Sequence, residues 1–209
     1  MARRRRRTYH HGDLRNALLI AAIPVLARKG VAGLSLREVA AAAGVSHTAP
    51  YRHFRDKAAL LEAIAVQGHN SLRDGSLAAQ QKWPRDPKRQ WIETGLNYLH
   101  FILENPEIAQ VMFSHVPSRK SADSALHRAM SEAIQGLVQV IENGKAAGLY
   151  ANRLTEDLVL TSLSTVHGLV ALMSQGFIGG TKPSSDQAQA MAIRVAETLW
   201  HGMVSPPTG

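Results

Sequence analysis

From Asp13 to Lys29, the apolar residues Leu14, Ala17, Leu18, Ala21, Val25 and Leu26 recur at spacings of three and four. That is the period of an amphipathic helix, and Gly30 can end it. Pro24 falls inside the run, where it removes the backbone bond to Ile20, so a bend or break is expected there. Downstream, a helix from Lys57 carries Leu60, Leu61, Ile64 and Ala65 and can continue toward Gly75 and Lys82 as a connecting rod. Trp83-Pro84-Arg85-Asp86-Pro87 reads as a linker, after which Ile92, Leu96, Leu99 and Leu103 form a stripe that Asn105-Pro106 ends. Ile108, Val111 and Met112 mark a shorter helix. Leu126, Met130, Ala133, Leu137 and Val140 mark a long one whose end Gly144 and Gly148 loosen.

Thr155, followed by Glu156 and Asp157, is placed to cap the next helix. Val159, Leu163, Val166, Val170 and Met173 repeat along it almost as a heptad, and Leu158, Leu160, Leu169 and Leu172 fill its other faces. It should therefore be buried nearly all round. After a Gly, Ser and Pro loop from Gly176 to Ser185, Ser184 with Gln187 opens a last helix carrying Ala188, Ala192, Val195 and Leu199. No alternating strand pattern competes, so the class is all-α.

The densest set of local signals lies between Leu34 and Leu61. Ser35 with Glu38 three residues later has the spacing of a reciprocal capping box, and Leu36, Val39, Ala40 and Ala43 form a narrow stripe behind it. Gly44 can supply the positive φ that stops this helix, and Val45 can pack inward across the turn. Ser46 can then cap a second helix through Phe54, with Pro50 inside its first turn, where a missing N–H costs least. Asp56 caps the helix that starts at Lys57. Two short helices joined by a tight turn and packed on the first helix make a helix-turn-helix.

Charge singles out the same segment. Residues 1–55 hold eleven Lys and Arg against two Asp and Glu, whereas residues 56–209 hold thirteen against fourteen. The whole basic excess thus lies with the motif, as in the footprint of a nucleic-acid domain. Arg3, Arg4, Arg5, Arg6 and Arg7 form an unbroken cationic run, so residues 1–12 read as a disordered arm able to follow phosphates or enter a minor groove. Cysteine is absent, which excludes disulfides and thiolate metal sites. The charged N-terminus does not suit a signal peptide, and no run reaches the roughly 18 to 20 uninterrupted apolar residues of a membrane span. A cytoplasmic chain without a membrane partner is expected.

Tyr9-His10-His11-Gly12-Asp13-Leu14-Arg15, Ser35-Leu36-Arg37-Glu38-Val39-Ala40, Ala43-Gly44-Val45-Ser46 and Tyr51-Arg52-His53-Phe54, with Lys57 and Leu60-Leu61, together resemble the TetR/AcrR family of bacterial transcriptional regulators. The resemblance covers about the first third of the chain. It implies that Ser46 to Phe54 lies in the major groove of double-stranded DNA, with Arg37, His47, Thr48 and Ala49 toward base edges and Tyr51, His53 and Lys57 on phosphates. Ser46, Arg52 and the arginine arm complete the candidate DNA contacts. The chemistry suits these roles: Arg takes guanine O6 and N7 together, Thr and Ala methyls suit the thymine methyl, and phenol, imidazole and ammonium donate to phosphate.

The resemblance implies an architecture of four parts: the arm (1–12), a helix-turn-helix DNA-binding domain (13–56), a connecting helix (57–82) and a helical ligand-binding and dimerisation domain (83–209). It further implies a homodimeric repressor that leaves a pseudo-palindromic operator when a small-molecule effector binds. Thr161, Thr165 and Gly168 place small residues on one side of the penultimate helix, and with Val195 and Leu199 they form the candidate dimer interface. Phe101, Met112, Phe113, Met130, Val166, His167 and Met173 are candidates to line an effector cavity, although a filled core is what such a Met and Phe stripe usually means, and for any one of them core packing is the favoured role. Val166-His167-Gly168-Leu169 resembles the regulator C-terminal domains named for a Trp-His-Gly motif, with Leu163 where the tryptophan would stand one turn earlier.

Two other readings compete. A charge-only nucleoid-type binder would share the basic segment but not the capped turn, and it would not discriminate an operator from bulk DNA. A helical enzyme would have to be built from a histidine with Glu104, Glu142 or Asp157, and no nucleophile elbow or phosphate-cradling Gly loop accompanies them. The ten histidines contain no pair at the spacing of a helical zinc site, so no metal or other cofactor is expected.

Overall fold

The computed structural model describes residues 14–114, 124–150, 153–178, 180–181 and 183–204. Every regular element among them is helical: α1 (Leu14–Gly33), α2 (Leu36–Ala43), a 3-10 turn (Ala49–Arg52), α3 (Lys57–Lys82), α4 (Pro87–Glu104), α5 (Pro106–Ser114), α6 (Ala125–Ala146), α7 (Thr155–Ser174) and α8 (Ser185–Met203). They divide into two compact units. The first holds α1, α2, the 3-10 turn, α3 up to Ala65, and α5 from Glu107; the second holds the rest of α3 with α4, α6, α7 and α8.

In the first unit, α1 runs through Pro24, and its one break falls at Gly30 (φ 62°, ψ −178°). The break expected at the proline is therefore displaced to the glycine. Pro24 and Ile20 both lie on the exposed side, where water can take the place of the missing backbone bond. The buried stripe is Leu18, Leu19, Ala22, Val25 and Leu26, one position away from the expected Ala17 and Ala21. Val39 and Ala40 of α2, Phe54, and Leu60, Leu61 and Ile64 of α3 are buried in the same unit.

The second unit is built around larger side chains. Trp91, Val140, Ile141, Tyr150, Leu158, Trp200 and Met203 form one buried cluster. The Trp200 ring lies 5.6 Å from Trp91 and 5.6 Å, edge-on, from Tyr150. Trp91 Nε1 donates to Ser162 Oγ at 2.9 Å, and the Ser162 hydroxyl donates to the Leu158 carbonyl at 2.7 Å, so this serine is satisfied twice inside the core. Gly144 does not loosen α6. It is buried, and a Cβ there would stand 2.2 Å from Tyr150 Cε2, so the missing side chain is what lets the Tyr150 ring lie against the helix.

Two end signals of this unit behave differently. The Ser184–Gln187 box forms in both directions at the start of α8, as its spacing predicts. Thr155, by contrast, is not a cap: Leu154 occupies that position without a side-chain bond, and the Thr155 hydroxyl is turned to the Glu142 carboxylate and the Lys145 ammonium of α6. The expectation that α7 is buried nearly all round is also corrected. Leu160 is 65% exposed, Leu172 is exposed as well, and Phe177 just beyond the helix is 73% exposed. Helices α1 and α7 are long and apolar enough to cross a membrane by length and composition; here α1 supplies the core of the first unit, and α7 buries one side in the second.

Candidate nucleic-acid interface

The motif's first helix starts at the expected serine. Glu38 N–H donates to Ser35 Oγ at 3.3 Å. The Glu38 carboxylate in turn accepts from the Ser35 hydroxyl at 3.3 Å and from the Lys29 ammonium. The Lys29 hydrogen bond, first among several, holds the Glu38 pKa below the usual carboxylate value. An ion pair thus ties the end of α1 to the first turn of α2. Gly44 then adopts φ 68°, and the N–H groups of Gly44 and Val45 reach back to the Ala41 and Ala40 carbonyls at 3.2 and 3.0 Å, closing α2 as a glycine cap should.

The second helix is shorter and tighter than expected. Ser46 and His47 lie in the turn, Thr48 takes the cap position without a side-chain bond, and Ala49–Arg52 is a single 3-10 turn. Pro50 explains this in part: it has no N–H to donate and presets φ, so it suits the first turn of a short element. The Ser46 hydroxyl is paired with the Thr48 hydroxyl at 3.1 Å and caps nothing. The chain then closes on itself, because both His53 N–H and Phe54 N–H donate to the Pro50 carbonyl at 2.9 Å.

Anchoring and presentation are separated within these few residues. Pro50 is buried and Phe54 is 2% exposed, whereas Ser46, His47, Thr48, Tyr51, Arg52 and His53 are exposed and Ala49 is half-buried. Arg37, on α2, is exposed too. Asp56 accepts from Ala59 N–H at 2.8 Å, the bond that does most to lower its pKa, and so caps α3 as predicted.

Lys57 has a contact that the sequence did not signal: its ammonium donates to the Ala32 carbonyl at 3.0 Å, linking the first turn of α3 to the end of α1. Two of its three protons remain for other acceptors. A second unsignalled contact sets the Arg15 guanidinium 5.4 Å from the centre of the Phe54 ring. Both join residues more than twenty positions apart, so neither leaves a local spacing pattern. Arg3–Arg7 lie outside the described residues.

The candidate cavity residues fall in both units: Met112 and Phe113 belong to the first, and Phe101, Met130, Val166, His167 and Met173 to the second. Met173 and Met112 are buried, and Phe113 and His167 are exposed. His167 Nδ1 is paired with the hydroxyl of the buried Tyr98 at 2.6 Å, and burial raises the Tyr98 pKa. Of the candidate pairing residues, Thr165, Val195 and Leu199 line one groove between α7 and α8, of about 660 Å³, together with Met191, Arg194, Thr198 and Gly202. Thr161 is exposed, and a Cβ built on Gly168 would meet open space. Among the described residues, no cluster of three or more His, Asp or Glu is arranged to hold a metal ion.

Comparison with known proteins agrees with this geometry. Residues 18–64 match the family described as bacterial regulatory proteins, tetR family, and residues 91–196 match the tetracyclin repressor-like C-terminal domain. Over 75 residues the chain is 36% identical to the HTH-type transcriptional regulator AcrR of Shigella flexneri; this stretch is 36% of the present chain and spans only 35% of that relative's length. A protein of unknown function from Rhodococcus sp. RHA1 superposes with a TM-score of 0.82 at 30% identity, over 96% of this chain and 100% of its own. The TetR family transcriptional regulator PfmR from Thermus thermophilus shares the fold at 17% identity, with a TM-score of 0.69 over 88% of this chain and 97% of its own. With the N-terminal match covering the turn that presents Ser46 to His53 and the C-terminal match covering half of the chain, this protein belongs to the tetR family of bacterial regulatory proteins.

Proposed function

We propose that the chain is a sequence-specific transcriptional repressor that binds a pseudo-palindromic DNA operator as a homodimer and is released by a small-molecule effector. The observation that carries this reading is the separation just described, with Pro50 and Phe54 anchored while His47, Thr48, Tyr51, Arg52 and His53 face outward beside Arg37. In this reading Arg37, Ser46, His47, Thr48 and Ala49 meet base edges. Tyr51, Arg52, His53 and the free protons of Lys57 hold phosphates, and Arg3–Arg7 extend the contact along the duplex.

The uncovered apolar residues of α7 and the groove holding Thr165, Val195 and Leu199 support pairing with a second copy through α7 and α8. Effector binding in the second unit is supported by buried polar atoms there without a protein partner, His69 Nε2, Thr94 Oγ1 and His100 Nε2. Such groups are costly to leave unmatched, and a bound molecule can match them. An effector that turns α3 would change the separation of the two reading elements, and both half-sites must be engaged together for tight binding.

Competition between fragments selected from genomic DNA and bulk duplex tests the reading. A repressor prefers its fragment by about a thousandfold or more, whereas equal retention points to a charge-only binder. Arg37→Ala should relax sequence preference by about 1 to 3 kcal/mol. Lys57→Ala should weaken all sequences alike, and identical behaviour of the two variants would overturn the division of roles.

A further inference from the structure

We infer that Arg15, on the first helix and outside the helix-turn-helix itself, is an additional phosphate-binding residue whose position is set by Phe54. This rests on the DNA-binding reading above. Arg15 is exposed, and its guanidinium lies 5.4 Å from the centre of the Phe54 ring. Phe54 is 2% exposed, and its backbone N–H closes the reading element by donating to the Pro50 carbonyl. An arginine stem is otherwise free to sample many rotamers. Here the aromatic ring gives the head a defined place next to the element that carries Tyr51 and His53.

The charge balance of the unit says what such a head is free to bind. Lys29 is neutralised by Glu38, and Arg55 by Asp56. Among the described residues no carboxylate pairs with Arg15, Arg28, Arg37 or Arg52, so these four keep their charge for an external anion, and of them Arg15 is the one held against the Phe54 ring. An attraction to an aromatic ring leaves the guanidinium uncompensated, with N–H donors remaining around its rim. A flat cation with a free fork, held beside the groove-reading element, fits a phosphodiester oxygen pair better than a base edge. The contact would be blind to sequence and would set how the element is seated on the duplex.

The test compares wild type, Arg15→Met and Arg15→Lys on a fragment selected by the wild-type chain and on a random-sequence duplex, each titrated at several salt concentrations. Methionine retains an apolar stem for the Phe54 ring and removes the charge; lysine keeps the charge. Expected are a wild-type melting temperature in both variants and a slope of log affinity against log salt that is shallower by about 0.9 in Arg15→Met. The loss of affinity should be similar on both duplexes, with most of it recovered in Arg15→Lys. An unchanged slope in Arg15→Met overturns the inference. So does a loss confined to the selected fragment, or one that lysine fails to relieve while the melting temperature falls, which makes Arg15 a packing residue. If the wild-type chain retains neither duplex, the regulator reading falls as well, and that result is distinguishable from a failure of Arg15 alone.

Discussion

The two units solve the problem of stability in opposite ways. The first is closed by small and medium aliphatic residues, one buried phenylalanine and a series of backbone terminations: the Ser35 bond to Glu38 N–H, the Gly44 cap, the Asp56 cap and the Lys57 bond to Ala32. Its surface near the motif is polar and cationic. The second is held by the Trp91, Tyr150 and Trp200 rings, yet Leu160, Leu172 and Phe177 stay uncovered. The first also leaves Ile20 and Phe113 exposed, but the second uncovers several large apolar groups on and just beyond one helix, α7, and such a row is surface suited to a partner. The difference teaches where each part of the proposed function is to be sought, with recognition on the closed unit and association on the open one.

The largest expected effect falls on the closed unit. Phe54 is its one large aromatic anchor at the reading element, and Phe54→Ala should cost about 3 to 5 kcal/mol through the lost burial and the cavity left behind. Denaturant unfolding of the variant should show early loss of the first unit, and DNA retention should disappear with it. If the variant keeps wild-type stability and retention, the element is held by its backbone bonds and not by the burial of Phe54. A smaller effect is expected in the aromatic unit. Gly144→Ala places a Cβ 2.2 Å from a ring that is almost fully buried and cannot swing aside, so about 1 to 3 kcal/mol of stability should be lost. Tryptophan fluorescence, which reports Trp83, Trp91 and Trp200, should follow that loss, while the first unit unfolds as before.

Much of the closed unit was legible in the sequence, because its devices are local. A serine three residues before a glutamate, a glycine after an apolar stripe and an aspartate before a lysine each act within a turn, and Gly44 and Asp56 behave as their positions predict. What the sequence overstated was the length of the second helix: a run of helix-compatible residues after Ser46 does not disclose that Pro50 and the closing bonds at His53 and Phe54 compress it to one 3-10 turn. The open unit was legible as helices but not as packing. The role of Gly144 depends on Tyr150, and that of Thr155 on Glu142 and Lys145, across a turn between two helices. The periodicity of α7 shows which residues are apolar without showing which face has a partner within one chain, so it does not disclose that Leu160 and Leu172 are exposed.

The smallest effect separates the units by pH. His69 lies on the part of α3 that belongs to the second unit, is 8% exposed, and its Nε2 has no hydrogen-bond partner among the described residues. Burial lowers its pKa from the ordinary value of 6.5, because the charged imidazolium is the form that desolvation penalises. The unfolded chain therefore takes up a proton before the folded one does, so the stability this residue contributes is present above 6.5 and is lost as pH falls from there toward the lowered folded value. In the first unit the perturbed groups are the carboxylates of Glu38 and Asp56, both held below their ordinary values of 4.5 and 3.8, so their contribution persists until the solution is far more acidic. Between about pH 7.5 and pH 5.5 the second unit should weaken while these caps of the first are unaffected. Unfolding midpoints measured across that range should therefore drift for the wild type, and the drift should flatten in His69→Gln, which keeps a polar side chain of similar size and cannot take up the proton. An equal drift in both proteins would remove His69 as the source and, with it, this distinction between the units.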